Sequence, residues 1–416
     1  MRVTSMLERL QDQSASDRLH LQQSLVEFGE AADEDNDVQD ANNPLMDKVI
    51  EEAGDEAFRV LTNFTPSEFD IIWDNVERAM NSKWFEGRGR KSKMTPKDAL
   101  YVTLTVLKHY QSWEKHAVDF NLKAPTLEKI VVKVVELCSP ILYDTFVTMP
   151  TMTSLGRKFM HYPYALYATD VKFQPSHRPS GRFGEQKHYF SGKHKLYGLK
   201  IEASVSPDGR LVDMSPHVPG SVADLTLIRS RLDEHQRFLS KEASESIIND
   251  NGELFRDHPN SWALLVDKGY IGLAASLRAI HPKKKPTGGA LDRHDLDRNK
   301  EVSSDRVIVE NFFGRVSMLW KVSYATFVWG EKLYDDIQRL TFSLTNFHAS
   351  LLPLRLEDHD SYRAVMARYK CMAAENTTKR AAAQRRYVQR RAERLAASAA
   401  RADRVVFTSP SANRRR

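Results

Sequence analysis

Apolar positions follow two different rules along this chain, and the change lies near Tyr162. Before it they recur every three or four residues, as on helices; after it they form short runs and alternations, as in strands. Thr65-Pro66-Ser67-Glu68 is a strong helix start, with a capping hydroxyl, a proline suited to the first turn and a glutamate placed to complete a capping box. Thr95-Pro96-Lys97-Asp98 repeats it and leads into Leu100, Val102, Leu104, Val106 and Leu107, a broad apolar face for a buried bundle helix. Residues 112–120 read as a short helix with Trp113, Ala117 and Phe120 inward. Asn121 suits a left-handed turn, and Pro125 opens a further helix carrying Leu127, Ile130, Val131, Val134 and Val135. Two short helices about a tight turn can set the second in a DNA major groove, or simply pack as a bundle. If the former, Lys123, Lys129 and Lys133 are its DNA-binding candidates, with Glu128 among them.

Beyond Tyr162 the pattern predicts strands over 165–173, 196–205, 211–216 and 262–267, with Ser206-Pro207-Asp208-Gly209 as a hairpin turn. A helical stretch is expected over 223–239, a charged loop over 282–301, a helix starting near Ser304, and a long helix over 331–352. Antiparallel strands, a helix, a further parallel strand and flanking helices make an α/β fold with a mixed sheet, preceded by an all-α, helix-turn-helix-like domain. The expected divisions are 1–57, 58–160, 161–355 and 356–416.

Charge refines the two ends. Residues 1–60 carry 15 acids and 5 bases, and 1–57 contain too little apolar surface to order more than a short amphipathic helix. Residues 379–416 carry 12 bases and 2 acids. Residues 374–405 are rich in Ala, Arg and Gln and should be helical, with Arg385-Arg386 and Arg390-Arg391 near one face as phosphate-binding candidates. A basic body and tail favour a polyanion, here DNA. The first residues are polar and mixed in charge, and no apolar run approaches the roughly 20 residues of a membrane span. Cys138 and Cys371 form neither metal spacing nor a disulfide framework. A reducing compartment is expected, with the basic tail pointing to the nucleus.

Three acids stand out against this background. Asp170 and Asp267 are expected to end adjacent apolar strands although 97 positions separate them, and Glu310 lies in a helical segment. A carboxylate at the mouth of a buried strand is costly unless paired or bound to a cation. Oxygen-only ligands suit Mg²⁺ or Mn²⁺, and a pair of such ions about 3.5–4 Å apart supports phosphodiester chemistry. Asp170, on the central strand, is the candidate bridging ligand. Asp267 then serves the ion that activates water or a 3′-hydroxyl, and Glu310 the ion on the leaving oxygen. The competing readings are an Asp170 pair with Lys172 or Lys195, a turn at Asp267, and a surface Arg306–Glu310 pair at i, i+4. Asp224 competes as second carboxylate but carries a helix-start signature, which reads as a structural role, such as a helix cap, or as a support behind the metal ligands. Arg306 can orient Glu310 or hold a phosphate, and Lys193, His194 and Lys195 can clamp a DNA backbone.

Five blocks then acquire a common meaning. Ala168-Thr169-Asp170, His188-Tyr189-Phe190-Ser191-Gly192-Lys193-His194-Lys195, Pro219-Gly220-Ser221-Val222-Ala223-Asp224, Val266-Asp267-Lys268-Gly269-Tyr270 and Arg306-Val307-Ile308-Val309-Glu310-Asn311-Phe312-Phe313-Gly314 occur in the order and spacing of the Harbinger (PIF-like) transposases, which this chain resembles over residues 95–350. The resemblance implies an RNase H-like DDE endonuclease core, a metal-binding triad of Asp170, Asp267 and Glu310, and Mg²⁺-dependent cutting and joining of DNA at transposon ends. It also implies that a separate DNA-binding partner protein or a homo-oligomer can take part. A domesticated, catalytically silent DNA-binding regulator is the alternative on the same fold. One departure is Asp170-Val171-Lys172, where many relatives have Asp-Gly-Thr.

Overall fold

The computed structural model describes residues 43–86, 92–180 and 182–406, with side chains given to 398 except that of Phe183. Five helices come first: α1 (Pro44–Thr62), α2 (Pro66–Trp84), α3 (Pro96–His109), α4 (Trp113–Asp119) and α5 (Ala124–Phe146). Thr65 caps α2 with the full capping box, and Thr95 caps α3 through the Asp98 amide. Asn121 takes the left-handed conformation, φ 51°, between α4 and α5.

Among the described residues a helix is already present from Pro44, earlier than the Phe58 that the acidic composition suggests. The reason is tertiary. Asp98, fully buried on α3, accepts hydrogen bonds from the Leu45 and Met46 amides at 3.2 and 3.0 Å, so it satisfies the free donors at the start of α1. Met46 and Phe58 are buried while Glu51, Glu52, Asp55 and Glu56 face solvent. The expectations for residues 1–42 and for the basic tail beyond residue 406 fall outside the described residues.

The rest is a mixed sheet with helices on its faces. Its strands are β1 (Ala165–Pro175), β2 (Phe190–Ser191), β3 (Leu196–Val205), β4 (Leu211–Met214), β5 (Val218–Pro219), β6 (Ala263–Leu265) and β7 (Ala279–Ile280), in the order β2-β3-β1-β6-β7, with β4 and β5 also on β3. β3 runs antiparallel to β1, and β6 runs parallel to it. This is the α/β mixed sheet expected, with an N-terminal helical region. Helix α6 (Phe183–His188) precedes β2, and α7 (Asp224–Ser230) and α8 (Leu232–Leu239) replace the single expected stretch, parting at Arg231. α9 (Arg293–Leu319), α10 (Tyr334–Leu351) and α11 (Asp358–Val406) complete the described residues.

β3 is amphipathic in an unusual sense, because both of its faces are buried. Leu199, Ile201, Ala203 and Val205 join the main apolar core, whereas Lys200, Glu202 and Ser204 on the opposite face are equally buried. Glu202 is held by Arg231 and His235, each at 3.0 Å, and His235 in turn meets the Tyr167 hydroxyl at 2.8 Å. Polar groups buried this deeply are tolerable only because they are paired.

A second buried pair sets an acid-stability limb. Asp250 is nearly inaccessible, and burial alone would raise its carboxyl. Hydrogen bonds from Arg278 and Lys241 outweigh that and bring it down to about 2. A depressed carboxyl stabilises the fold above its unfolded value, and that contribution is lost as pH falls through the folded one. About 2 kcal/mol should therefore disappear between pH 4 and pH 2. In urea melts across that range Asp250→Asn should flatten this limb; an unchanged slope would contradict the assignment.

Candidate active site

The sheet register brings the first two acids together. The last β1–β6 pair is Ala168 with Leu265. Asp170 and Asp267 each stand two residues beyond it, so the same parallel register that pairs 168 with 265 aligns 170 with 267. Neighbouring strands are roughly 4.8 Å apart. Asp170 does not end its strand, as expected, but lies within β1 opposite Ala203 of β3. β6 stops first, which opens the β1 edge at that point. Asp267 follows β6 and precedes a 3₁₀ turn, Lys268–Tyr270.

Helix α9 supplies the third element. Arg306 reaches the Asp170 carboxylate at 3.2 Å and the Asp267 carboxylate at 3.6 Å, so one guanidinium spans both. Its side chain is 8% exposed, whereas those of Asp170 and Asp267 are 23% and 44% exposed. The charge at the floor of the site is thus covered and its acids are open to solution. Glu310 is half-buried one turn after Arg306, on the same side of α9. Arg306 therefore serves Asp170 and Asp267 rather than Glu310, and neither Lys172 nor Lys195 is the partner of Asp170.

Asp170 titrates unusually. Burial pushes its carboxyl up to about 6 against the pull of Arg306, with the Val171 amide and Lys193 also opposing and the charge of Asp267 adding to the rise. Two carboxylates held close together resist sharing a negative charge unless a cation is added. The Asp170, Asp267 and Glu310 oxygens do not all lie within 4.8 Å of one another; among the described residues only Asp292, His294 and Asp295 form such a group. That spacing excludes a ready-made cage for one ion, but ligands shared between two ions need to spread wider. The Asp292 group is exposed and already engaged: Asp292 caps α9 on the Asp295 amide at 2.7 Å, and Asp295 pairs with Lys283.

Asp224 is not the helix cap its sequence suggests, because Ala223 holds that position. Its carboxylate instead pairs with Lys200 at 2.8 Å, and Lys193 lies 3.9 Å from its other oxygen. Lys200 also donates to the Val222 carbonyl at 2.7 Å and is buried. Asp224→Ala should therefore cost about 3 kcal/mol, the scale of stranding a buried charge, rather than the smaller cost of a lost cap. Asp224→Ala/Lys200→Met should recover most of it in denaturant melts. A small single-mutant cost with no recovery in the double would contradict the pairing.

The other basic candidates divide sharply. Lys193 is exposed beside Asp224. His194 lies flat on Phe173 at 4.3 Å, and burial pushes it down to about 4, so it is neutral near pH 7 and cannot clamp a phosphate by charge. Lys195 is exposed, with φ 56°. Lys133 donates to the Trp84 carbonyl at 2.8 Å and sits over its ring. Lys129 shares a shallow groove with Lys83, Lys133, Glu86, Glu128 and Glu136, whose charges cancel. Lys123 is exposed at the start of α5, and Arg385, Arg386, Arg390 and Arg391 are exposed along α11.

Sequence reasoning missed several supports of the site. Asp305, next to Arg306, accepts the His161 and Tyr162 amides at 2.9 and 3.0 Å and ties α9 to the chain entering β1. Lys172 and Gln174, on the same face of β1 as Asp170, reach the carbonyls of Ser323 and Val322 after α9. Lys172 thus anchors the turn after α9. The Tyr362 hydroxyl on α11 is raised well above its ordinary range, chiefly by burial, with the charges of Asp170, Glu310 and Asp224 adding to the rise. The only advance signal was the alternation of Lys200, Glu202 and Ser204 along a strand that had to be buried.

Residues 166–346, which contain all of these acids, match the family described as DDE superfamily endonuclease. Over that segment the chain is similar to the DDE superfamily endonucleases. A probable transposase for insertion sequence element IS702 from Microchaete diplosiphon is 20% identical over 262 residues, which are 63% of this chain and 83% of that protein. No solved structure matches. The matched segment runs from β1 into α10, so α1–α5 and α11 lie outside it. Among the described residues no helix is long and apolar enough to cross a membrane.

Proposed function

We propose that the DDE domain is a divalent-metal-dependent DNA endonuclease of transposase origin, related to the Harbinger group, with Asp170, Asp267 and Glu310 as its metal ligands. The observation that carries this reading is the single guanidinium spanning Asp170 and Asp267 across two register-matched strands. A cation is already needed there, and the exposed oxygens are hard donors suited to Mg²⁺ or Mn²⁺. When bound, a metal pair supplies Lewis-acid activation of the attacking oxygen and neutralises charge on the leaving one.

The chain's own residues define the rest. β1 fixes Asp170 centrally, where its carboxylate would hold the metal. Arg306 orients Asp170 and Asp267 from below, and its buried Nε has no partner to share it with. Glu310, one turn after Arg306 on α9, would supply the third carboxylate. Lys193 stands exposed at the rim, placed for a phosphate of the substrate. Hydrolysis and strand joining differ only in whether water or a 3′-hydroxyl attacks. The test is nicking of supercoiled plasmid by the full chain in Mn²⁺ or Mg²⁺. Open-circular product that forms with metal, and not in chelator, is expected. No product with either metal over a range of DNA sequences would contradict the reading.

A further inference from the structure

Beyond the acids, a cationic surface lies where α11 leaves the sheet. A groove of about 520 Å³ runs between the end of β1, the start of β3 and α11, and no carboxylate lines it. Arg178, Lys195, Lys379 and Arg380 line it together with Tyr197. Arg178 and Arg380 stack on Tyr197 at 5.9 and 5.8 Å, which holds two guanidinium groups over one ring with donors to spare. A second acid-free groove on α11 is lined by Arg386, Arg390, Arg391 and Arg394. Ala383 lines both, so the two are continuous. The helical spacing of 379, 383, 386, 390 and 394 keeps them on one side of α11. Arg385, the neighbour expected to join them, does not line either groove.

We infer that this track binds the phosphate backbone of duplex DNA flanking the cleavage site, independently of sequence. The inference rests on the reading of the chain as a DNA-acting enzyme and adds where the substrate lies. From Lys379 to Arg394 the track spans about 22 Å of helix, equal to roughly six base pairs at 3.4 Å each. Asp170 lies five strand residues before Pro175, which opens the groove, or about 17 Å. A duplex engaged at Asp170 therefore meets the groove roughly five base pairs away and follows the arginines of α11 outward. Aromatic-stacked arginines and grooves lined by no acid match a backbone and offer no pattern of donors and acceptors that selects bases; Glu375, 3.6 Å from Lys379, marks the inner end of the helical track.

The test is metal-free binding of the full chain to a labelled 30-base-pair duplex by fluorescence anisotropy, in chelator, over a salt series. Two variants are compared with the parent: Arg178→Gln/Lys195→Gln/Arg380→Gln in the groove and Arg386→Gln/Arg390→Gln/Arg391→Gln/Arg394→Gln on the helix. Each should weaken binding about tenfold or more near physiological salt and flatten the log-affinity against log-salt slope by about 3, at about 0.9 per phosphate contact. The loss should be equal for unrelated sequences. Arg178→Gln/Lys195→Gln, which leaves the α11 contacts of Arg380 in place, keeps the test valid if the triple variant melts early. Unchanged affinity and slope in the groove variants would overturn the inference, even for a protein that nicks plasmid. Polyglutamate bound as tightly as duplex of equal charge would also overturn it, in favour of an acidic protein partner. Conversely, a protein that fails to nick but shows the expected slopes would keep this surface and lose the catalytic reading.

Discussion

Asp170→Asn and Asp267→Asn are each expected to lose Mn²⁺-dependent nicking by on the order of a thousandfold or more, with the fold retained. The two substitutions keep the side-chain shape and an oxygen for Arg306, so the scaffold under the site should hold. They remove the charge that a bridging or activating ligand must carry. Asp224→Asn should differ, because its carboxylate neutralises Lys200 and is held there at 2.8 Å. It should lower stability and leave measurable nicking at a temperature where the fold persists. The paired measurement is plasmid nicking with a thermal melt on each variant. An inactive but fully stable Asp224→Asn beside an active Asp267→Asn would show that the second carboxylate had been misassigned.

Gly314→Ala is the second large effect, and two physical terms oppose each other. On helix propensity alone, replacing glycine within α9 should gain about 1 kcal/mol. The position, however, is where the start of α11 crosses α9. A Cβ there would lie 1.8 Å from the Asp358 carbonyl oxygen and 2.5 Å from its carbon, both backbone atoms that cannot rotate away. Next to it Arg315 donates to the buried Asp358 carboxylate at 2.7 Å and to the Leu352 and Pro353 carbonyls, while Asn311 accepts the His359 amide at 3.0 Å. Making room breaks that whole junction. The expected net cost is about 3 kcal/mol or more, at the upper end of overpacking. Urea melts with limited proteolysis should show it, the new cuts falling near residues 353–360. A stabilised Gly314→Ala would mean that the α9–α11 junction is looser than described. The same contact explains the glycine that ends the Glu310 motif, which serves α11 docking rather than metal chemistry.

How much could be read in advance depended on whether a signal was local. The bounds of β3 and the caps at Thr65 and Thr95 follow from alternation and capping chemistry, and they were legible. So was the identity of Asp170 and Asp267 as a pair on adjacent strands, although not the fact that β1 continues past Asp170, because the length of β6 is set elsewhere. α9 begins at Arg293, eleven residues before the expected Ser304. Residues 293–303 are mostly charged, and their helix is held by Arg298 with Glu253 and by Lys283 with Asn299 rather than by an apolar face. α1 was hidden for the same reason, since its first turn is completed by Asp98, some fifty residues away. His194 and Lys133 looked like free cations in sequence, and only their aromatic neighbours remove them from that role. Asp224 was misread because its partner, Lys200, sits on a strand face that alternation alone would have placed in solvent.

The central claim is that Asp170 belongs to a metal centre rather than to a structural ion pair with Arg306, and a Mn²⁺ melting titration tests it most directly. A ligand that binds only the folded chain raises the melting temperature in proportion to the logarithm of its concentration. The account expects such a rise in the parent protein and little or none in Asp170→Asn. An equal metal-induced rise in both would contradict it, leaving Asp170 as no more than the partner of Arg306.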